Sequence, residues 1–96
     1  MVAFLIVDQL DITDPDTMKE YGKGVGATVA KFGGEVVARD DSCEMLEGTY
    51  QPTRIIMLKF PDMAVLKGWY DSADYADLKA MRHRSSSANV YAVDGF

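Results

Sequence analysis

Apolar residues recur along this chain with two periods, and the switches between them divide it into elements. From Val2 to Leu10 they alternate, with Phe4 and Ile6 on one side and Ala3, Leu5 and Val7 on the other, so this first strand is apolar on both faces. Asp11 to Asp14 is a turn. Asp14-Pro15 is a strong helix start: a carboxylate to accept free N–H groups, then proline at the first helical position. Met18, Tyr21, Val25, Val29 and Phe32 fall three and four apart, which predicts a helix over Pro15 to Phe32, ended by Gly33-Gly34. Glu35 to Arg39 reads as a second strand, Asp40 to Ser42 as a turn, and Cys43 to Leu46 as a short returning strand. Arg54 to Phe60 is the third full strand, with Ile56, Leu58 and Phe60 opposite Ile55 and Met57.

The stretch from Phe60 to His83 carries the densest pattern. Pro61 turns the chain and Asp62 can cap a helix, on which Leu66, Trp69 and Tyr70 share a face. Asp71 to Asp74 interrupts the pattern, and Tyr75, Leu78, Met81 and Arg82 resume it in a second short helix. Ser85 to Asn89 reads as a loop and Val90 to Val93 as a last strand. Gly22, Gly24 and Gly26 stand inside the first helix, each at a cost of about 1 kcal/mol against alanine. They either admit close packing or loosen the middle turn. The run Gly-Lys-Gly-Val-Gly is not a phosphate loop, because it falls in mid-helix and not between a strand and a helix.

Strand, helix, strand, strand, broken helix, strand is the split βαβ order of an α+β, ferredoxin-like fold: an antiparallel sheet with helices on one face and the first and third strands central. Helices cover one face only, yet both central strands are apolar on both. The uncovered side exceeds the few hundred Å² of apolar patch that a soluble monomer leaves bare. A homodimer meeting sheet to sheet is therefore expected.

Composition narrows the partners. Ninety-six residues, 48% hydrophobic and 26% charged, make one small globular domain over residues 1–96. A net charge of −5, with no basic cluster longer than Arg82-His83-Arg84, argues against nucleic acid and anionic membrane as partners. The single Cys43 excludes an internal disulfide and suits a reducing cytoplasm. The apolar start is cut short by Asp8 and Asp11 and reads as a strand, not a signal peptide or membrane span.

A small-molecule pocket in this fold lies between helices and sheet. Tyr21, Phe32, Trp69, Tyr70 and Tyr75 are candidates to line it, against the alternative of a filled core with tyrosine hydroxyls at the rim. Arg39, Arg54 and Arg82 carry guanidinium forks suited to an anionic ligand. Structural roles compete: Arg39 and Arg54 can pair with Glu44 or Glu47, and Arg82 suits a helix C-terminus. His83, the one histidine, is a weak proton-acceptor candidate beside Tyr75, since its position rotates it away from the Tyr75-Leu78-Arg82 stripe. No ligand spacing for a metal is present, and no metal or bound cofactor is expected.

Asp14-Pro15, Gly33-Gly34, Arg39, Leu46-Glu47-Gly48, Arg54, Phe60-Pro61, Trp69-Tyr70, Ser72, Tyr75, Leu78 and Arg82 together resemble family 1330 of the domains of unknown function, among the dimeric α+β barrels. The likeness spans nearly the whole chain and is most specific from Phe60 to Arg82. It implies the same fold and a dimer, and no activity. The wider superfamily holds cofactor-independent monooxygenases, lactone isomerases and haem enzymes, so the fold alone selects no chemistry. Two departures stand out: Ala73 where proline is common, expected to loosen the helix junction, and the glycine-rich first helix, which bears on any pocket beneath it. The expected function is binding or transformation of a small anionic or aromatic molecule. The alternative is a non-catalytic dimeric binding or assembly module.

Overall fold

The computed structural model describes Met1–Phe96. In chain order its elements are β1 (Ala3–Ile12), α1 (Pro15–Lys31), β2 (Glu35–Asp40), β3 (Arg54–Phe60), α2 (Met63–Tyr70), α3 (Ala73–Ser85) and β4 (Ser86–Asp94). The strands form one antiparallel sheet in the order β2-β3-β1-β4, with β1 and β3 central. This is the α+β, ferredoxin-like arrangement. None of the helices is long and apolar enough to cross a membrane.

Alternation along the central strands decides which side chains meet the helices. Ala3, Leu5, Val7, Leu58 and Phe60 point to the helical layer and are buried there with Val29, Leu66, Trp69 and Tyr75. Phe4, Ile6, Ile55 and Met57 point the other way and are only half-buried, while Tyr91 and Val93 beside them on β4 are 50% and 42% exposed. A slab of 35 × 35 × 16 Å results, two layers thick with one bare sheet face.

The helix starts follow their sequence signals. The Asp14 carboxylate accepts from the Thr17 N–H and hydroxyl, and the Asp62 carboxylate from the Val65 N–H. Gly33 takes φ +75°, the left-handed conformation that closes α1. The junction between α2 and α3 is tight, not loosened: the Ser72 hydroxyl donates to the Trp69 carbonyl at 2.7 Å and accepts from the Tyr75 N–H at 3.2 Å.

Two segments depart from the expected elements. Ser86 to Asn89 is strand, not loop, because β1 runs on to Ile12 and templates it: Ser86 pairs with Ile12 and Asn89 with Asp8, across a bulge between Gln9 and Asp11. Cys43 to Leu46 forms no strand. That loop is held by side chains, with the Tyr50 hydroxyl on the Asp8 carboxylate at 2.8 Å and the Gln51 amide on the Cys43 carbonyl at 2.7 Å.

Gly34 marks the tightest approach of α1's end to the sheet. A Cβ there would stand 2.6 Å from the Phe60 ring and 2.9 Å from Val29, both buried core side chains. Gly34→Ala is expected to lower the unfolding free energy by about 1–3 kcal/mol through overpacking, measured by urea denaturation. An unchanged midpoint would show that the core yields freely at this point.

Candidate functional site

Aromatic residues from three helices meet over the sheet. Trp69 at the end of α2 and Tyr75 at the start of α3 stack with ring centroids 4.1 Å apart, and Trp69 lies 5.3 Å from Phe60 of β3. The Trp69 indole N–H donates to the Thr28 hydroxyl of α1 at 3.0 Å. The hydroxyls of Tyr21 on α1 and Tyr75 on α3 lie 2.8 Å apart. Between these rings and the sheet lies a chamber of about 80 Å³, walled by Leu5, Val7, Val29, Leu58, Tyr21, Trp69, Tyr70 and Tyr75 among others. Besides the tyrosine hydroxyls, its polar side chains are Gln9 and Arg82.

Arg82 is the unusual group. It is 6% exposed, and none of the chain's ion pairs includes it. Its Nε donates to the Tyr75 hydroxyl at a long 3.4 Å, and its Nη2 lies 3.2 Å from His83 Nε2. Arginine has only donors, so His83 Nε2 accepts here and carries no proton. Burial works against the Arg82 charge, but the Tyr75 hydrogen bond and the neighbouring phenols more than offset it, and the group stays a cation. Desolvation, then the Arg82 and Lys79 charges, lowers the His83 pKa. His83 itself lies outside the chamber, on a groove shared with Tyr70, Ser86 and Ser87.

The chamber adjoins an open cleft of about 760 Å³ between α1 and the β2–β3 side of the sheet, and Gln9, Met18, Tyr21, Val25, Val36 and Ile56 belong to both walls. By itself the chamber is smaller than an ordinary ligand pocket of several hundred Å³; chamber and cleft together are not. Lys19, Lys23, Arg39 and Arg54 also line the cleft, and no acidic side chain does. These four cations line one cleft of a chain whose net charge is −5, and two of them are paired, Arg54 with Asp41 and Lys23 with Glu20.

The sequence candidates therefore fall into two sets. Tyr21, Trp69, Tyr75 and Arg82 surround the chamber with Tyr70; Arg39 and Arg54 stand in the cleft, where Tyr21 joins the two. Phe32 caps α1 and packs on the core without lining either. The partner expected for Arg54 is corrected: it is Asp41, gripped at 2.7 and 3.2 Å, not Glu44 or Glu47, because Asp41 sits at the end of β2 alongside. That hydrogen bond holds the Asp41 carboxyl below the usual carboxylate range. Arg39 is only 3.9 Å from the same carboxylate. Gln9 was not among the candidates. Its signal is the row Ala3, Leu5, Val7, Gln9, in which one amide continues an apolar face.

Burial, together with the Tyr75 hydroxyl, raises the Tyr21 pKa well above its ordinary 10.0. A phenol whose folded pKa exceeds its unfolded value stabilises the fold fully below the unfolded pKa and loses that contribution as pH rises above it. Urea midpoints are thus expected to fall as pH climbs past about 10, and Tyr21→Phe to make that fall shallower. An equally steep fall in the variant would assign the alkaline sensitivity to other groups.

The family model described as "Domain of unknown function (DUF1330)" matches residues 2–96. No curated protein sequence matches. Among solved structures, a protein of unknown function from Rhodopseudomonas palustris is similar at TM-score 0.77 and 12% identity, over 99% of this chain and 82% of that one. A dimeric ferredoxin-like protein of unknown function from Jannaschia sp. CCS1 gives TM-score 0.72 and 10% identity, over 99% and 100%. SnoaB, a cofactor-independent oxygenase from Streptomyces nogalater, gives 0.66 and 9%, over 99% and 92%. At these identities the likeness is one of fold.

Proposed function

The chain belongs to the DUF1330 family, and from that premise and its own geometry we propose that it binds a small, flat organic molecule by an ionisable oxygen. The observation that carries this is the Arg82 guanidinium, buried against an apolar chamber with no carboxylate to neutralise it. Tyr75 and the neighbouring phenols hold this cation without neutralising it, so an incoming anion gains a charge-assisted interaction in a poorly screened site. Arg82 and the Tyr75 hydroxyl supply donors to a phenolate or enolate oxygen, while Trp69 and Tyr70 offer flat apolar surface to the rest of the molecule. An electron-rich oxyanion in a dry chamber is what proton transfer or oxygenation without a bound cofactor requires. The oxygenase of the same fold from Streptomyces nogalater supports that reading by analogy.

The test uses nitrophenol, whose colour reports its ionisation. Bound beside Arg82, it is expected to ionise at lower pH than free nitrophenol, by about one pH unit or more. Arg82→Met is expected to abolish the shift while keeping the fold, since it exchanges a buried cation for an apolar chain. Unshifted nitrophenol with the native chain, or a shift that survives in Arg82→Met, would overturn the proposal.

The same reading includes a homodimer. Phe4, Ile6, Ile55, Met57, Tyr91 and Val93 make the bare sheet face apolar, and a second copy is the occupant of matching shape and chemistry. Sedimentation at micromolar concentration is expected to give twice the chain's 10.6 kDa, and Ile6→Lys to give monomers. A native monomer would favour a different cover for this face.

A further inference from the structure

The cleft outside the chamber has two features that the chain's own packing leaves unexplained. The first is Gln9. It is 2% exposed, it lies where chamber and cleft meet, and its side-chain carbonyl Oε1 is buried with no hydrogen-bond partner. A buried carbonyl left unpaired is destabilising, and nearly all such groups in folded proteins find a donor. The second is a pair of glycines one turn apart on α1. A Cβ at Gly24 would touch Leu78 at 3.2 Å, so that glycine serves the packing of α1 on α3. At Gly22 and Gly26 a Cβ would meet nothing within 4 Å, and both residues line the cleft. Each weakens the helix without any steric need inside the chain. The space they keep clear runs along the cleft wall and, at Gly26, reaches the chamber.

We infer that Gly22, Gly26 and Gln9 form the seat of one ligand, a flat hydroxy acid. Its apolar body lies along the bare backbone of α1. Its hydroxyl enters the chamber and donates to Gln9 Oε1. Its carboxylate stays at the cleft mouth among Lys19, Arg39 and Arg54. The inference rests on the Arg82 reading for the oxygen itself and concerns its protonated form: the hydroxyl has lone pairs to accept from Arg82 and Tyr75 and one proton to give Gln9, and the Gln9 bond is lost when the oxygen ionises to the oxyanion. Gln9 thereby selects a hydroxyl over a carbonyl at that position, because a carbonyl has no proton to donate. The charge of the mouth selects the acid. Of its cations, Arg54 is engaged by Asp41 and Lys23 by Glu20, while Lys19 has no acidic partner and Arg39 only the distant Asp41.

Trp69, the single tryptophan, lines the chamber and reports occupancy by its fluorescence. Three probes separate the parts of the ligand: hydroxynaphthoic acid with both groups, naphthoic acid without the hydroxyl, and naphthol without the acid. With the native chain, hydroxynaphthoic acid is expected to bind roughly tenfold more tightly than either of the others. In Gln9→Leu its advantage over naphthoic acid should shrink to the part that Arg82 and Tyr75 supply, while naphthoic acid still binds. Gly26→Leu should weaken all three by more than roughly tenfold, with the urea midpoint confirming an intact fold. Gly26→Ala, a helix-favouring change, serves as a second variant if leucine disturbs the fold, and should weaken all three to a smaller degree. Equal binding of hydroxynaphthoic and naphthoic acids, an undiminished hydroxyl advantage in Gln9→Leu, or native affinity in both Gly26 variants overturns the inference. So does the absence of any Trp69 response to the three probes. The nitrophenol titration distinguishes the failures. If it succeeds while these fail, the oxyanion reading stands without this ligand; if it fails as well, both fall.

Discussion

The stack of Trp69 on Tyr75 is the contact on which the helical layer depends. It joins the end of α2 to the start of α3, and each ring is tied further: Trp69 to Thr28 on α1 and to Phe60 on the sheet, Tyr75 to Tyr21 on α1. The Ser72 hydroxyl sets the separation by bonding backbone on both sides of the junction. Three helices and a central strand thus share one aromatic knot. The chamber lies beside these rings, which form part of its wall. The knot that stabilises the layer also shapes the site.

Electrostatics separates the site from the rest of the surface. The chain is acidic overall, yet its cleft is lined by cations and its chamber holds a buried one. Surface pairs such as Lys23 with Glu20 and Lys31 with Asp74 are exposed and contribute little. Arg82 differs because its surroundings are tyrosine and histidine, which accept its hydrogen bonds without cancelling its charge. Charges are screened less in the chamber than at the cleft mouth.

The elements legible in the letters were those with an uninterrupted period. β1, α1 and β3 carry apolar residues at regular spacing, and Asp14, Asp62 and Gly33 mark helix ends by chemistry that acts within a few residues. Ser86 to Asn89 has no such signal, because its strand conformation comes from pairing with the extension of β1, a contact remote in sequence. The same distance hid Asp41 as the partner of Arg54. Tyr21, Trp69, Tyr75 and Arg82 were readable as a set because aromatic and basic residues on helical stripes must face something. What they face depends on the space between layers, which no spacing encodes. Gln9 was visible only as one amide at the end of an apolar row, and its unpaired carbonyl emerges once the row is placed under the helices.

Gly22 and Gly26 have a bearing on how such a scaffold diversifies. Gln9 and Arg82 come from β1 and α3, whereas the dimensions of the cleft are set in part by what is missing from α1. Capacity and chemistry are therefore encoded at different positions. A descendant could narrow the cleft methyl by methyl along one helix while gaining helical propensity, and leave the residues on β1 and α3 as they are.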